Sequence, residues 1–215
     1  MKENKIFSKI FMWMFLGLLV TFGVAYYIST NENMVNNIFS GGKYWIVWIA
    51  ELVVVIWLSA RITKMNPMTA KILFLLYSLL TGITLSSIFV IYEIPSIVFV
   101  FLISAIVFLI MGLIGYFTKI DLTKLGTILM MALLAIIIAS IINIFIGSEV
   151  FNLGLCIVGL IVFLGFVAYD IQKIKKMLPM FPDEDNLAIY GALELYLDFI
   201  NIFLRLLQLF GNERD

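Results

Sequence analysis

Long apolar segments that carry almost no charge follow one another along most of the chain. Each is close to the roughly 20 residues that a helix needs to cross the hydrocarbon core of a bilayer. None shows the alternation of apolar and polar residues that marks a barrel strand. Seven such spans, numbered one to seven, are Ile10–Ile28, Tyr44–Ala60, Ile72–Tyr92, Ile94–Thr118, Leu125–Ile146, Val150–Tyr169 and Leu187–Phe210. The pattern predicts an all-α membrane protein with seven transmembrane helices.

The composition excludes a soluble globule. Of the 215 residues, 63% are hydrophobic and 13% are charged, and the mean hydropathy is +1.12. Soluble domains are about 45–50% apolar and about 25% charged, and a chain this short has no interior large enough to hide so much apolar surface. We expect residues 1–215 to form a single seven-helix transmembrane domain. The connections are predicted to be loops, of which 29–43 and 171–186 are the longest.

Charge and residue usage exclude several classes of partner. The 14 basic and 14 acidic residues balance, so no basic excess is present to neutralise nucleic acid phosphates. The chain has no histidine and one cysteine, Cys156, which excludes an intrachain disulfide and a Cys/His zinc site. Any metal partner is therefore expected to be a hard cation with oxygen ligands. No glycine-rich phosphate motif occurs, so neither a nucleotide nor another cofactor is expected.

The distribution of lysine and arginine predicts the orientation. We expect the first span to be retained, because it is too long for the apolar region of a signal peptide and no small-x-small cleavage site follows Ala25–Tyr27. We place the N-terminus in the cytoplasm. Lys43 and Arg214 then lie outside. Eleven basic residues lie on the inner side, namely Lys2, Lys5, Lys9, Arg61, Lys64, Lys71, Lys119, Lys124, Lys173, Lys175 and Lys176. This bias follows the positive-inside rule. It predicts a multi-pass protein of the cell membrane with its C-terminus outside.

Ionisable residues within or at the ends of the spans are the candidate functional groups, because charge inside a bilayer is costly and usually serves a function. They are Glu51 and Arg61 of span two, Asp170 of span six, and Glu194, Asp198 and Arg205 of span seven. Glu194, Asp198 and Arg205 are spaced i, i+4 and i+11, so they form one polar stripe on a helix. A helix with such a stripe is expected to turn it toward the bundle interior or a water-filled cavity.

Asp170 and Asp198 are the central pair of this prediction. Spans six and seven are antiparallel neighbours, and the two aspartates lie at comparable depths. If they meet in a low dielectric, both cannot readily ionise, so the pair would titrate as a unit and hold one shared proton near neutral pH. The two side chains would then act as a proton-sensitive latch.

Structural explanations stay open for each of these residues. Arg205 can simply neutralise Asp198, Asp170 can lie at the membrane interface, and Arg61 can be an ordinary basic residue of an inner loop. Glu51 can face a cavity or pair with a hydroxyl group, and Glu194 can be solvated at a vestibule. The hydroxyl-rich run at 81–87 in span three is best explained by close helix packing.

Several segments resemble the Bax inhibitor-1 family, also called TMBIM. The segments Ala168–Ile174 and Leu195–Phe203 are similar to its signature, and Leu80–Ser86 also matches. The resemblance implies a non-enzymatic membrane protein in which a central seventh helix is surrounded by helices one to six. It further implies a pH-sensitive calcium leak.

The family resemblance also implies roles for individual residues. Asp170 and Asp198 would form the pH sensor, and Arg61 would latch one of them in a closed state. Glu51 would line the cation path. Glu194 adds a third carboxylate, where the family pattern leads us to expect a small or neutral residue.

Three functions are compatible with these features. The first is a proton-gated calcium leak channel, with Glu51, Glu194 and the aspartate pair along the path and transient calcium binding at Glu51, Asp170 and Asp198. The second is an intramembrane aspartyl protease, although Leu195–Leu197 replaces the Gly-x-Gly that precedes the second aspartate in such enzymes. The third is a proton-coupled transporter, or a non-conducting regulator or adaptor of another membrane protein.

Overall fold

The described part of the chain is helical along almost its whole length. The computed structural model describes residues 2–62, 64–179 and 184–214, and the side chain of residue 2 is not included. Within these ranges the helices are α1 (Lys2–Ser29), α2 (Glu32–Phe39), α3 (Lys43–Arg61), α4 (Pro67–Ile91), α5 (Ile94–Phe117), α6 (Thr123–Ile146), α7 (Glu149–Met177) and α8 (Glu184–Phe210).

Seven of these helices, all except α2, are long and apolar enough to cross a membrane. The predicted all-α architecture with seven spans is therefore confirmed. Several helices extend beyond the apolar segments, since α1 includes residues before Ile10 and α7 continues past Tyr169 to Met177. Helical hydrogen bonding does not require apolar side chains, so the helices continue past the hydrocarbon core toward water.

The short helix α2 was missed by the sequence analysis, which predicted a loop at 29–43. The side chain of Asn31 caps α2 by accepting a hydrogen bond from the Met34 backbone N–H at 3.2 Å. Gly41 and Gly42 follow with φ of 63° and 78° and turn the chain into α3. Eight residues are too few to form a spanning pattern. The capping residue Asn31 was the feature of the sequence that could have indicated this helix.

Two compact units make up the chain. The first contains Met1–Ile94, Met177–Tyr196 and Glu213–Asp215, and the second contains Pro95–Lys176 and Leu197–Asn212. The first part of α8 therefore belongs to unit 1 and the second part to unit 2. The single domain expected from the chain length stays a prediction.

In unit 1, small and hydroxyl-bearing residues allow α1 and α4 to pack closely. A Cβ added at Gly82 of α4 would lie 2.7 Å from the Thr21 carbonyl oxygen of α1. The Thr21 hydroxyl donates to the Ser78 carbonyl at 2.9 Å and lies 2.6 Å from the Tyr196 hydroxyl. The rings of Phe74 and Tyr77 pack edge-on against Tyr196. These contacts place α1, α4 and the first part of α8 side by side.

In unit 2, glycines and phenylalanines allow the helices to pack closely. Gly115 of α5 contacts the Ala168 backbone of α7 so closely that a Cβ would overlap it. Gly165 of α7 is similarly close to Leu129 of α6, where an added Cβ would be 2.9 Å from a leucine methyl group. On α5, Phe101 and Phe108 pack edge-on against Phe199 of α8, with ring centroids 5.2 and 5.7 Å away. The second part of α8 is thereby packed against α5.

The helix α8 is the most buried of the seven apolar helices. In its most apolar stretch 78% of the residues are buried, whereas the corresponding value for the other six is between 6% and 44%. A central seventh span requires such burial. The arrangement of the other six helices around it stays a prediction.

Candidate functional site

Two buried aspartates lie in unit 2, on α7 and α8. Asp170 is 3% exposed and Asp198 is 4% exposed. Their immediate neighbours along each helix are apolar and mostly buried, including Ile171 beside the first and Phe199 beside the second. Carboxyl groups are rarely buried unless they are paired or have a functional role, so this part of unit 2 is the candidate functional site.

The faces that α7 and α8 turn toward each other carry these aspartates. The Cys156 thiol of α7 donates to the Arg205 carbonyl of α8 at 3.3 Å. A Cβ added at Gly159 would lie 3.0 Å from the Arg205 guanidinium. Asp170 follows Gly159 by eleven residues, so these two residues lie within about 20° of the same face of α7. Asp198 precedes Arg205 by seven residues, so these two lie within about 20° of the same face of α8. Both aspartates therefore lie on the facing stripes, about one to two turns apart along the helix axis.

A lysine of the same helix accompanies Asp170. The Lys173 ammonium lies 3.4 Å from Oδ1 of Asp170, one turn further along α7. It also lies 5.7 Å from the centre of the Tyr169 ring. The sequence analysis treated Lys173 only as an inner-side charge, although its i, i+3 spacing from Asp170 was a signal for this pair. The site therefore includes a cation from its own helix.

Arg205 packs on α7. Its guanidinium lies against Gly159, where the missing side chain leaves room for it. Gly159 is thus a packing position.

In unit 1, Glu51 of α3 is held by two hydroxyl groups of α4. Its Oε1 accepts a hydrogen bond from Thr81 and its Oε2 accepts one from Thr84, each at 2.7 Å. The carboxylate is half-buried, so both oxygens have donors at a site with limited access to water. Of the alternatives for Glu51, the structure selects pairing with hydroxyl groups. Glu51 and the hydroxyl-rich run therefore form one site, which was not predicted from the sequence.

The two remaining candidates occupy less enclosed positions in unit 1. Arg61 is the last residue of α3 and is exposed, and its guanidinium forms no ion pair with the described residues of its unit. Glu194 is half-buried on α8, one helical turn before Asp198.

No group of three or more His, Cys, Asp or Glu residues suited to holding a metal ion occurs among the described residues. Calcium binding at Glu51, Asp170 and Asp198 therefore stays a prediction.

The fold and the buried carboxyl groups define a polytopic α-helical membrane protein with ionisable residues inside its helical bundle. A sequence model described as "Inhibitor of apoptosis-promoting Bax1" matches residues 3–215 of this chain. The chain therefore belongs to the Bax inhibitor-1 family, and the resemblance found in the sequence is confirmed.

Bacterial relatives support this assignment over nearly the full length. The chain is 44% identical to the "Inner membrane protein YbhL" of Escherichia coli K12, and the match covers 96% of this chain and 91% of that protein. It is also 44% identical to an "Uncharacterized protein" of Borreliella burgdorferi, covering 99% and 94% of the two chains. An "Uncharacterized membrane protein" of Streptococcus pyogenes serotype M1 is 36% identical, covering 97% and 93%. A location in a membrane follows from the family and the seven apolar helices.

Proposed function

We propose that this protein is a non-enzymatic, pH-sensitive calcium leak channel gated by the carboxyl pair Asp170–Asp198. The observation that carries the proposal is the burial of both aspartates on the facing stripes of α7 and α8. Family membership supports it, because the Bax inhibitor-1 resemblance implies this activity. The oxygen-only set of charged ligands supports calcium as the permeant ion.

Gating follows from the protonation of the pair. Two carboxyl groups in a low dielectric repel each other when both are ionised and attract when they share a proton. A change in protonation alters the free energy of the α7–α8 contact and thereby opens or closes a water path. Arg61 latches one aspartate in the closed state. Glu51 and Glu194 provide acidic groups along the path, and the half-buried Glu51 carboxylate is already held in place by Thr81 and Thr84.

A flux assay with the purified full chain tests this proposal. Liposomes loaded with a calcium-sensitive dye are prepared with the wild type, Asp170→Asn, Asp198→Asn and, as a control, Glu149→Gln, which neutralises an exposed carboxylate at the start of α7. We expect a pH-dependent calcium flux in the wild type and the control, and a flux without that dependence in both aspartate variants. Identical flux in all four proteins at every pH between 6 and 8 would refute the gate. Absence of flux from the purified wild type would favour a regulator of other membrane proteins.

We also propose that the N-terminus lies in the cytoplasm and the C-terminus outside. The distribution of basic residues supports this orientation. In unit 1, the ammonium groups of Lys9 and Lys71 both bind Asp185, at 2.6 and 2.7 Å, so the start of α1, the start of α4 and the start of α8 share one end of the unit. This end is the cytoplasmic one in the proposed orientation.

A further inference from the structure

A basic groove lies where α3 ends and α4 begins, within unit 1. Its volume is about 490 Å³. The residues that line it are Trp57, Ala60, Arg61, Lys64, Met65 and Thr69. Two cations, an indole and a hydroxyl group therefore surround a cavity of headgroup size, and no carboxylate is among its described lining residues.

The two cations of this groove are available to an external anion. Arg61 and Lys64 are both exposed, and neither forms an ion pair with a described residue of unit 1. The groove also includes the first turn of α4, where Asn66 caps the helix by accepting the Met68 N–H at 2.8 Å. The positive end of the helix dipole adds to the two full charges. The local field therefore favours a group with negative charge and several acceptor oxygens.

A second basic groove, in unit 2, shows the opposite arrangement. It contains Lys175 and Lys176 together with Asp121. Lys176 binds the Asp121 carboxylate at 2.5 Å, and Lys175 lies 4.3 Å from the centre of the Tyr116 ring. Two of the three lysines that line that groove, Lys175 and Lys176, are therefore already engaged within the protein, while the third is Lys119. Arg61 and Lys64, by contrast, have no ion-pair partner among the described residues of unit 1.

The surroundings of the unit 1 groove identify its occupant. Only 6% of the residues in the apolar stretch of α3 are buried, and Val53, Ile56 and Trp57 are among its exposed side chains. A spanning helix with such a surface faces lipid tails, and a tryptophan at its end is typical of the headgroup level. The groove therefore lies where a phospholipid headgroup would meet it.

We propose that this groove binds the phosphate headgroup of an anionic phospholipid. Arg61 presents a planar set of N–H donors that fits two phosphate oxygens, Lys64 adds a second charge, and the Thr69 hydroxyl is a further donor. The acyl chains then lie along the exposed face of α3. The site shares Arg61 with the latch of the proposed channel, but retention of a lipid is measured without calcium flux, so failure of one proposal can be told from failure of the other.

Native mass spectrometry of the full chain in detergent tests the site. The probes are phosphatidylglycerol and phosphatidylcholine with identical acyl chains, added in equal amounts. The test variant is Arg61→Gln/Lys64→Gln. The matched control is Lys5→Gln/Lys124→Gln, which also removes two positive charges from exposed lysines without ion pairs to described residues. A conservative variant, Arg61→Lys, keeps the charge but removes the planar donor set, and the thermal unfolding temperature of every variant reports whether it is folded.

We expect the wild type and the control to retain phosphatidylglycerol and the test variant to bind it at least tenfold more weakly. Arg61→Lys is expected to fall between the wild type and the test variant. Equal weakening by the control, or equal retention of phosphatidylcholine by the wild type, would overturn the proposal. Displacement of phosphatidylglycerol by millimolar inorganic phosphate would also overturn it, because the groove would then be a site for the free anion. Should the test variant unfold, the comparison of Arg61→Lys with the wild type decides the question.

Discussion

The Thr84 hydroxyl of α4 donates a 2.7 Å hydrogen bond to Oε2 of Glu51 on α3, and Thr81 donates to the other carboxylate oxygen at the same distance. A carboxylate in a helical bundle thus has a donor for each oxygen. Since neither threonine is charged, Glu51 is held without being neutralised by an ion pair within this site. This arrangement connects α3 to α4 at a point where most other side chains are apolar.

Removing these donors should destabilise unit 1 through Glu51. We expect Thr81→Val and Thr84→Val each to lower the free energy of unfolding by about 1 kcal/mol, because a half-buried carboxylate loses a donor. The measurement is unfolding in mixed micelles with increasing dodecyl sulfate. In a Glu51→Leu background Thr84→Val should have little effect, since no carboxylate then needs its donor, whereas Thr81→Val should keep part of its effect because the Thr81 hydroxyl also bonds Tyr77 and Tyr196. Ser87→Ala is the control, because Ser87 donates to the Thr84 carbonyl instead. Equal effects with and without Glu51 would contradict this explanation.

Two glycines on α5 should differ sharply in their tolerance of a methyl group. A Cβ at Gly115 would overlap the Ala168 backbone, whereas one at Gly112 would meet nothing within 4 Å. We expect Gly115→Ala to destabilise the protein by about 1–3 kcal/mol, as overpacking does. Gly112→Ala should be neutral or stabilise by up to about 1 kcal/mol through helix propensity. Thermal unfolding in detergent measures both variants, and similar values for the two would show that α5 and α7 are not packed through Gly115.

Asp121 lies in the connection between α5 and α6, and its pKa should affect the stability of the fold at low pH. Hydrogen bonds from Lys176 at 2.5 Å and from the Thr123 hydroxyl at 2.6 Å hold the pKa of this carboxyl well below its usual range. Folding therefore favours the ionised form. The resulting stabilisation is present above the unfolded-state pKa of about 3.9 and is lost as the pH falls through the lower folded-state pKa. The effect is small and screened by salt, because the Asp121 side chain is 71% exposed.

A carbon-13 titration of the Asp121 carboxyl measures this pKa. Lys176→Gln should raise it toward the usual value, because the hydrogen bond from Lys176 is the largest cause of the shift. Lys124→Gln removes a neighbouring positive charge that does not bind Asp121, and it should leave the pKa nearly unchanged. If both variants raised the pKa equally, general charge rather than the Lys176 contact would be responsible.

The sequence predicted the architecture far better than the contacts of individual side chains. Seven apolar segments are sufficient to predict seven helices, because lipid satisfies no backbone hydrogen bonds and forces each span to be helical. The pairing of Glu51 with Thr81 and Thr84 depends on how α3 is rotated against α4, and no residue pattern in either segment specifies that rotation. Likewise, the i, i+3 spacing of Asp170 and Lys173 permitted an ion pair, but only the helix in three dimensions shows that Lys173 turns toward Asp170.

The proposed orientation can be tested with single cysteines, because the chain has only one native cysteine. Cys156 is buried, so Cys156→Ser should provide an unlabelled background that still folds, at the loss of one weak hydrogen bond to the Arg205 carbonyl. Ser40→Cys, between α2 and α3, should react with a membrane-impermeant maleimide added to whole cells, because this connection lies outside in the proposed orientation. Lys119→Cys, between α5 and α6, should react only after the membrane is permeabilised. Both positions are exposed in the structure, so unequal reactivity reports sidedness rather than burial. Labelling of Lys119→Cys in intact cells, with Ser40→Cys protected, would invert the orientation and place the basic ends of the helices outside.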